Sequence, residues 1–173
     1  MILAPMFLWR AVQGHPVGDA WPYRGGTQSD IHQHLRSAAE VLSQGPFLDT
    51  ESDFAMLFDD CCHSAMVYCT KKQDRPSSVH GITVFLCAFA PLAAFCPTTV
   101  HRTKIGMSHT MHLPQAGELP PGDWVVERQW LVSQLETLGF VVPSREELSL
   151  LLPHSSEIPE QIRGLSQFMA LFF

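Results

Sequence analysis

Apolar positions recur at different spacings along the chain, and each spacing predicts an element. Ile31, Leu35, Ala38 and Leu42 follow the helical repeat behind a cap at Ser29 or Asp30, and Gly45-Pro46 stops that helix. Residues 65–70 read as a strand, and the polar residues 71–78 as an exposed loop. Residues 81–90, Gly-Ile-Thr-Val-Phe-Leu-Cys-Ala-Phe-Ala, are rich in β-branched and aromatic side chains and apolar on both alternating faces from Val84 onward. Such a strand belongs in the centre of a sheet, covered on both sides. Pro91 breaks it, and residues 92–103 resume as an antiparallel partner that turns polar toward its end. Further on, Asp123 is placed to cap a helix with the stripe Trp124, Leu131, Leu135 and Leu138; Glu127 lies where the helix dipole favours negative charge, and Gly139 supplies a left-handed stop. Residues 140–142 suggest a short strand, and Ser144 with Glu147 forms the capping box of a short helix ended by Pro153.

Three stretches are less regular. Before Asp30 the chain reads as a short strand around Phe7, then an extended arm at about residues 10–28 punctuated by Gly14, Pro16, Gly18, Pro22, Gly25 and Gly26. Periodicity does not decide between helix and strand for residues 53–60. Residues 165–173 are almost wholly apolar and must pack into the core or cover something else. The expected architecture is a single α+β domain spanning residues 1–173, with an antiparallel meander of at least three strands covered by helices.

Composition sets limits on function. A chain of 173 residues with 46% hydrophobic content can bury one substantial core. The formal charge of -6 argues against a nucleic-acid ligand, since the basic residues gather only at residues 101–104, and it suits a basic protein partner better. Five cysteines, mostly within apolar runs, read as free thiols in a reducing compartment. The apolar residues 1–9 lack the basic start and the small-residue cleavage site of a secretion signal, and no run reaches the roughly 18 apolar residues of a membrane span. A cytoplasmic protein is the expectation.

Candidate chemistry is sparse. His109 and His112, with His101 upstream, have a spacing that could supply zinc ligands, but Gly106, Ser108, Thr110 and Pro114 point to a loop with surface histidines. His32 and His34, two apart on the first helix, point to nearly opposite sides, and at least one is expected to face solvent. The run Asp59-Asp60-Cys61-Cys62-His63 invites a reactive-thiol reading, although buried structural cysteine is the simpler one. Nucleophile elbow, P-loop, zincin and dinucleotide motifs are all absent, so no catalytic residue and no cofactor is assigned. Trp21 and Tyr23, in the arm, are instead candidate aromatic anchors for a protein partner.

The strand breaking at Ala90-Pro91 and resuming to Phe95, the helical residues 130–140, and the capped segment 142–148 together resemble small bacterial immunity proteins, the antidotes encoded beside polymorphic or contact-dependent toxins. The resemblance covers about residues 80–153 and rests on structural motifs. It implies a protein without chemistry of its own that binds one toxin and blocks its active site or substrate path. Exposure and charge nominate Trp21, Tyr23, Asp59, Asp60, His101 and Arg102 for the contact, although a surface at residues 101–104 would fit an acidic toxin and the overall charge a basic one. Two rival readings stand beside it: a small metal-dependent enzyme using His101, His109 and His112, and a structural subunit whose apolar C-terminus completes a homodimer.

Overall fold

A computed structural model describes the chain except residues 1–2, 47, 56, 59–62, 73–77, 104–105, 155–157 and 159. Five strands form one antiparallel sheet in sequence order: β1 (Leu48–Asp53), β2 (Ser64–Lys71), β3 (Ser78–Cys87), β4 (Ala93–Thr103) and β5 (Gly106–Met111). The α+β meander is thus as expected, with two strands more than its minimum. Both additions are edge strands. β1 carries Leu48 as its only buried residue, and β5 runs through the segment expected as a loop, so neither shows the apolar alternation that would have announced it.

Helices cover both faces. On one, α2 (Gln28–Ser43) buries Ile31, Leu35, Ala38, Ala39 and Leu42 beside α3 (Val125–Thr137), which buries Leu131 and Leu135. The cap of α2 is Thr27, earlier than expected: its hydroxyl accepts from Asp30 N, and Asp30 accepts from Thr27 N in return. The start of α3 is tied to the sheet by Lys71, which reaches Glu127 at 2.9 Å, donates to the carbonyl of Asp123 and lies over the Trp124 ring. The cap position falls on Trp124 and not on Asp123 as expected, and no side chain caps the helix; Asp123 only accepts from Val125 N just before it. The left-handed Gly139, at φ +86°, ends the helix region. Residues 140–142 are reduced to one parallel bridge, Val141 to Leu92, while α4 (Arg145–Ser149) has the expected Ser144–Glu147 capping box.

On the other face, α5 (Gln167–Phe172) accounts for the apolar C-terminal segment. Phe168 and Phe172 pack on Phe85 of β3, and the carbonyls of Phe172 and Leu171 accept from Ser64 Oγ and Cys87 Sγ. A partner subunit is therefore not required to cover this segment, which removes the reason for the homodimer reading. Against α5 lies α1 (Pro5–Val12), a helix where a strand around Phe7 was expected. Proline starts the helix behind an extended Ala4, and Leu8 and Ala11, three apart, form its buried stripe.

The sheet is strongly coiled toward this second face. A flat sheet would hold its edge strands about 19 Å apart. Yet Glu51 of β1 meets His109 of β5 at 3.5 Å, and His109 stacks on Tyr68 of β2 with ring centroids 3.7 Å apart. The two corners close over β3 and β4, where Thr83 and Thr98 lie buried with hydroxyls 2.5 Å apart. This clasp shuts one part of the trough and α5 fills the other.

Candidate functional site

The arm that links α1 to α2 divides two hollows. Its aromatic residues behave differently from each other. Trp21 is 64% exposed, in keeping with the anchor expected there. Tyr23 is only 4% exposed: its hydroxyl donates to Cys87 O at 2.9 Å, and its ring meets His34 and Phe140 edge-on. Tyr23 must be withdrawn from the partner-contact set, because its polar tip is consumed by the end of β3. The same cluster revises the view of the helix histidines. His34 stacks on Phe140 and His32 packs against Phe54 and Phe58, so both are half-buried, on different sides of α2 as expected.

On one side of the arm is a groove of about 700 Å³. Leu3 and Phe7 from α1 and its approach, Val17 and Gly18 from the arm, Pro91 and Leu92 from the β3–β4 turn, and Val141 line it. The turn around Pro91 thus does more than break a strand: it forms part of a surface. Phe7 and Val141 stay exposed within this groove, and Met6 and Trp9 of α1 are exposed outside its lining. Arg10, Arg24, Asp19 and Glu147 supply its charges; the two arginines form no ion pair among the described residues.

On the other side of the arm is a cavity of about 670 Å³ reaching His63. Burial holds the His63 pKa below the ordinary imidazole value, as it does for His34. Asp59, Asp60, Cys61 and Cys62, the run that precedes His63, lie outside the described residues.

The remaining candidates are scattered. In the β4–β5 ladder His101 pairs with Ser108 and Val100 with His109, so His101 and His109 fall on opposite faces of the sheet. His112, beyond the end of β5, contacts Thr99 Oγ1 at 3.2 Å, and Thr99 shares a face with His101. The three cannot close on one ion, and among the described residues no group of three or more His, Cys, Asp or Glu is placed to hold a metal. His101 is exposed on the edge half of β4; Arg102 follows it in the strand, and its side chain is outside the described set. His109 is only partly exposed, and burial lowers its pKa more than the carboxylates of Glu51 and Asp53 raise it. Its contact with Glu51 is accordingly polar at neutral pH. The cysteines Cys69, Cys87 and Cys96 are buried, their thiols pushed up to about 12, 11 and 12 by desolvation, which leaves them in the unreactive protonated form.

Sequence reasoning missed both hollows. Trp21 carried a signal, as an aromatic among turn residues. Phe7 and Val141 carried none, since each belongs to an ordinary apolar run and meets the groove only through the packing of α1 and the Pro91 turn. No protein-family model matches the chain, and no curated protein or solved structure matches it either.

Proposed function

We propose that this chain is a binding protein without chemistry of its own, whose recognition surface is the groove beside α1 and the arm, and that its partner is a cognate toxin it neutralises by covering it. The observation that carries the reading is that the groove leaves two of its apolar lining residues in water, Phe7 at 39% and Val141 at 58%, with Trp21 at 64% on the arm that forms one of its walls. An apolar surface left in water beside a concave groove is characteristic of protein interaction sites. Aromatic and arginine side chains supply most of the energy at such contacts, and Phe7, Arg10 and Arg24 in the groove and Trp21 on the arm are of that kind. The net charge of -6 adds long-range attraction for a basic partner, and the acidic outer strand Asp49, Glu51 and Asp53 is oriented along one face to contribute to it. Immunity is the form of partner binding suggested by the resemblance of residues 80–153 and by the absence of catalytic motifs. A cytoplasmic location accords with this reading, and among the described residues no helix is long and apolar enough to cross a membrane.

The test is co-expression with the products of the adjacent genes. Co-purification of one of them and rescue of growth from its toxicity are expected, with both effects lost in Phe7→Asp and Val141→Asp variants that melt like the parent. Absence of capture and rescue, or capture indifferent to both substitutions, overturns the proposal.

A further inference from the structure

The cavity on the opposite side of the arm is distinct from the proposed protein-binding groove, and its chemistry is different. Its volume of about 670 Å³ falls in the range of small-molecule sites. Phe58, Phe89, Phe173, Ile31 and Met169 give it apolar walls, and no Asp, Glu, Lys or Arg is among the described residues that line it. A charged ligand entering it would lose hydration and gain no counter-charge from the described walls. His63 is the polar side chain at its sheet end. The backbone of His63 is fixed on two sides, donating to Phe172 O at 3.3 Å and accepting from Ala88 N at 2.7 Å, so the imidazole is held at the junction of β3 and α5. Its ring meets Phe89 at 5.2 Å, and its buried Nδ1 has no hydrogen-bond partner among the described residues. An unpaired buried nitrogen is costly to leave unsatisfied, and a turn of the ring that brings it to the cavity lets a ligand's hydrogen-bonding group recover that cost. Phe58, which packs on Phe89, holds a left-handed backbone at φ +72°, a conformation that a non-glycine residue keeps only where its surroundings enforce it.

We infer that this cavity binds an uncharged, largely apolar small molecule bearing one hydroxyl or carbonyl group, which hydrogen-bonds to the His63 imidazole while its apolar body packs among Phe58, Phe89 and Phe173. The inference stands apart from the protein-partner reading, because the two hollows lie on opposite sides of the arm and, among the described residues, share only Pro16 and Gly26 in their walls. Burial keeps the imidazole neutral, able to donate from one nitrogen and accept at the other.

Fluorescence titration with three pyrene probes of one shape tests it on the whole chain: pyrenebutanol, butylpyrene and pyrenebutyrate. Pyrenebutanol is expected to bind about five- to tenfold more tightly than butylpyrene, the worth of one net hydrogen bond. Pyrenebutyrate, ionised at neutral pH, is expected to bind no better than butylpyrene. His63→Phe removes the advantage of the alcohol and leaves butylpyrene unchanged, whereas Met169→Trp, which narrows the cavity, weakens all three. Equal affinity for the three probes, a preference for the carboxylate, or no measurable binding of pyrenebutanol overturns the inference. So does an alcohol preference that survives in a folded His63→Phe. Should that variant fail to melt cooperatively, the probe series on the parent and on Met169→Trp decides the matter: probe binding unaffected by Met169→Trp lies outside the cavity.

Discussion

Trp21 and Tyr23 are two residues apart in the same arm, and the structure assigns them opposite energetics. Replacing Tyr23 with Phe keeps the ring against His34 and Phe140 and removes only the hydroxyl that donates to Cys87 O at 2.9 Å. The bond is buried, so its loss also strips a partner from a carbonyl that water does not easily reach. A loss of about 1.5 kcal/mol is expected, or about 3 to 6 °C in melting temperature for a chain of this length. Trp21→Ala removes a far larger side chain, but one that is 64% exposed, and its effect is expected to stay within about 0.5 kcal/mol. Urea unfolding followed by circular dichroism reads both, and the slopes of the two transitions should match the parent, since neither change alters how much surface unfolding exposes. In capture of the partner the order reverses: Trp21→Ala weakens it and Tyr23→Phe leaves it unchanged. A Tyr23→Phe variant as stable as the parent, or a Trp21→Ala variant less stable than Tyr23→Phe, would refute the division of the arm into an anchored and an exposed half.

Three further outcomes are expected. Burial depresses the pKa of His34, His63 and His109 in the folded state, so the unfolded chain binds protons first as pH falls; stability should be full above the ordinary imidazole value of 6.5 and decline steadily below it, and melting temperatures equal at pH 7.5 and 5 would count against this. Cys69, Cys87 and Cys96 should resist iodoacetamide in the native protein and become labelled in urea, as read by peptide mass spectrometry; rapid native labelling of any of the three contradicts its burial. Gly81→Ala should destabilise by about 1 to 3 kcal/mol, because a Cβ there would lie 2.5 Å from the carbonyl oxygen of Cys69 and β2 and β3 must part to admit it; a variant that unfolds at the parent's urea midpoint refutes the close approach.

The parts of the fold legible in the sequence are those whose residues face the core on a regular period. Val84 to Phe95 has no polar face to confuse its reading, and Ile31, Leu35, Ala38 and Leu42 trace one stripe. Edge strands escape such reasoning: β1, Leu-Asp-Thr-Glu-Ser-Asp, buries one side chain and is a strand because β2 offers it a ladder. The same holds for β5, whose glycine, serine and threonine suggested a loop until β4 paired with it. Around Phe7 the run is apolar on all sides and too short for its period to show, so the proline at its start decided for helix. The candidate surfaces were harder still. Exposure at Trp21 and burial at Tyr23 follow from how the arm lies across Cys87 and Phe140, a relation between residues more than 60 positions apart. The groove and the His63 cavity likewise exist only once α1, the arm and α5 have packed.

The clasp of Glu51, Tyr68 and His109 has a consequence for the order in which the molecule assembles. Each strand pairs with its neighbour in sequence, so hairpins can form early, each at the small entropic cost of a short loop. Bringing Glu51 to His109, and Leu171 to Cys87 across 84 positions, requires the whole sheet to be present and coiled. Closure of the trough is therefore the late step of folding, and opening of the clasp and of α5 is the early step of unfolding. Hydrogen exchange should show amides of β5 and α5 opening at lower free energy than those at the centre of β3, with the hairpin interior the last to yield.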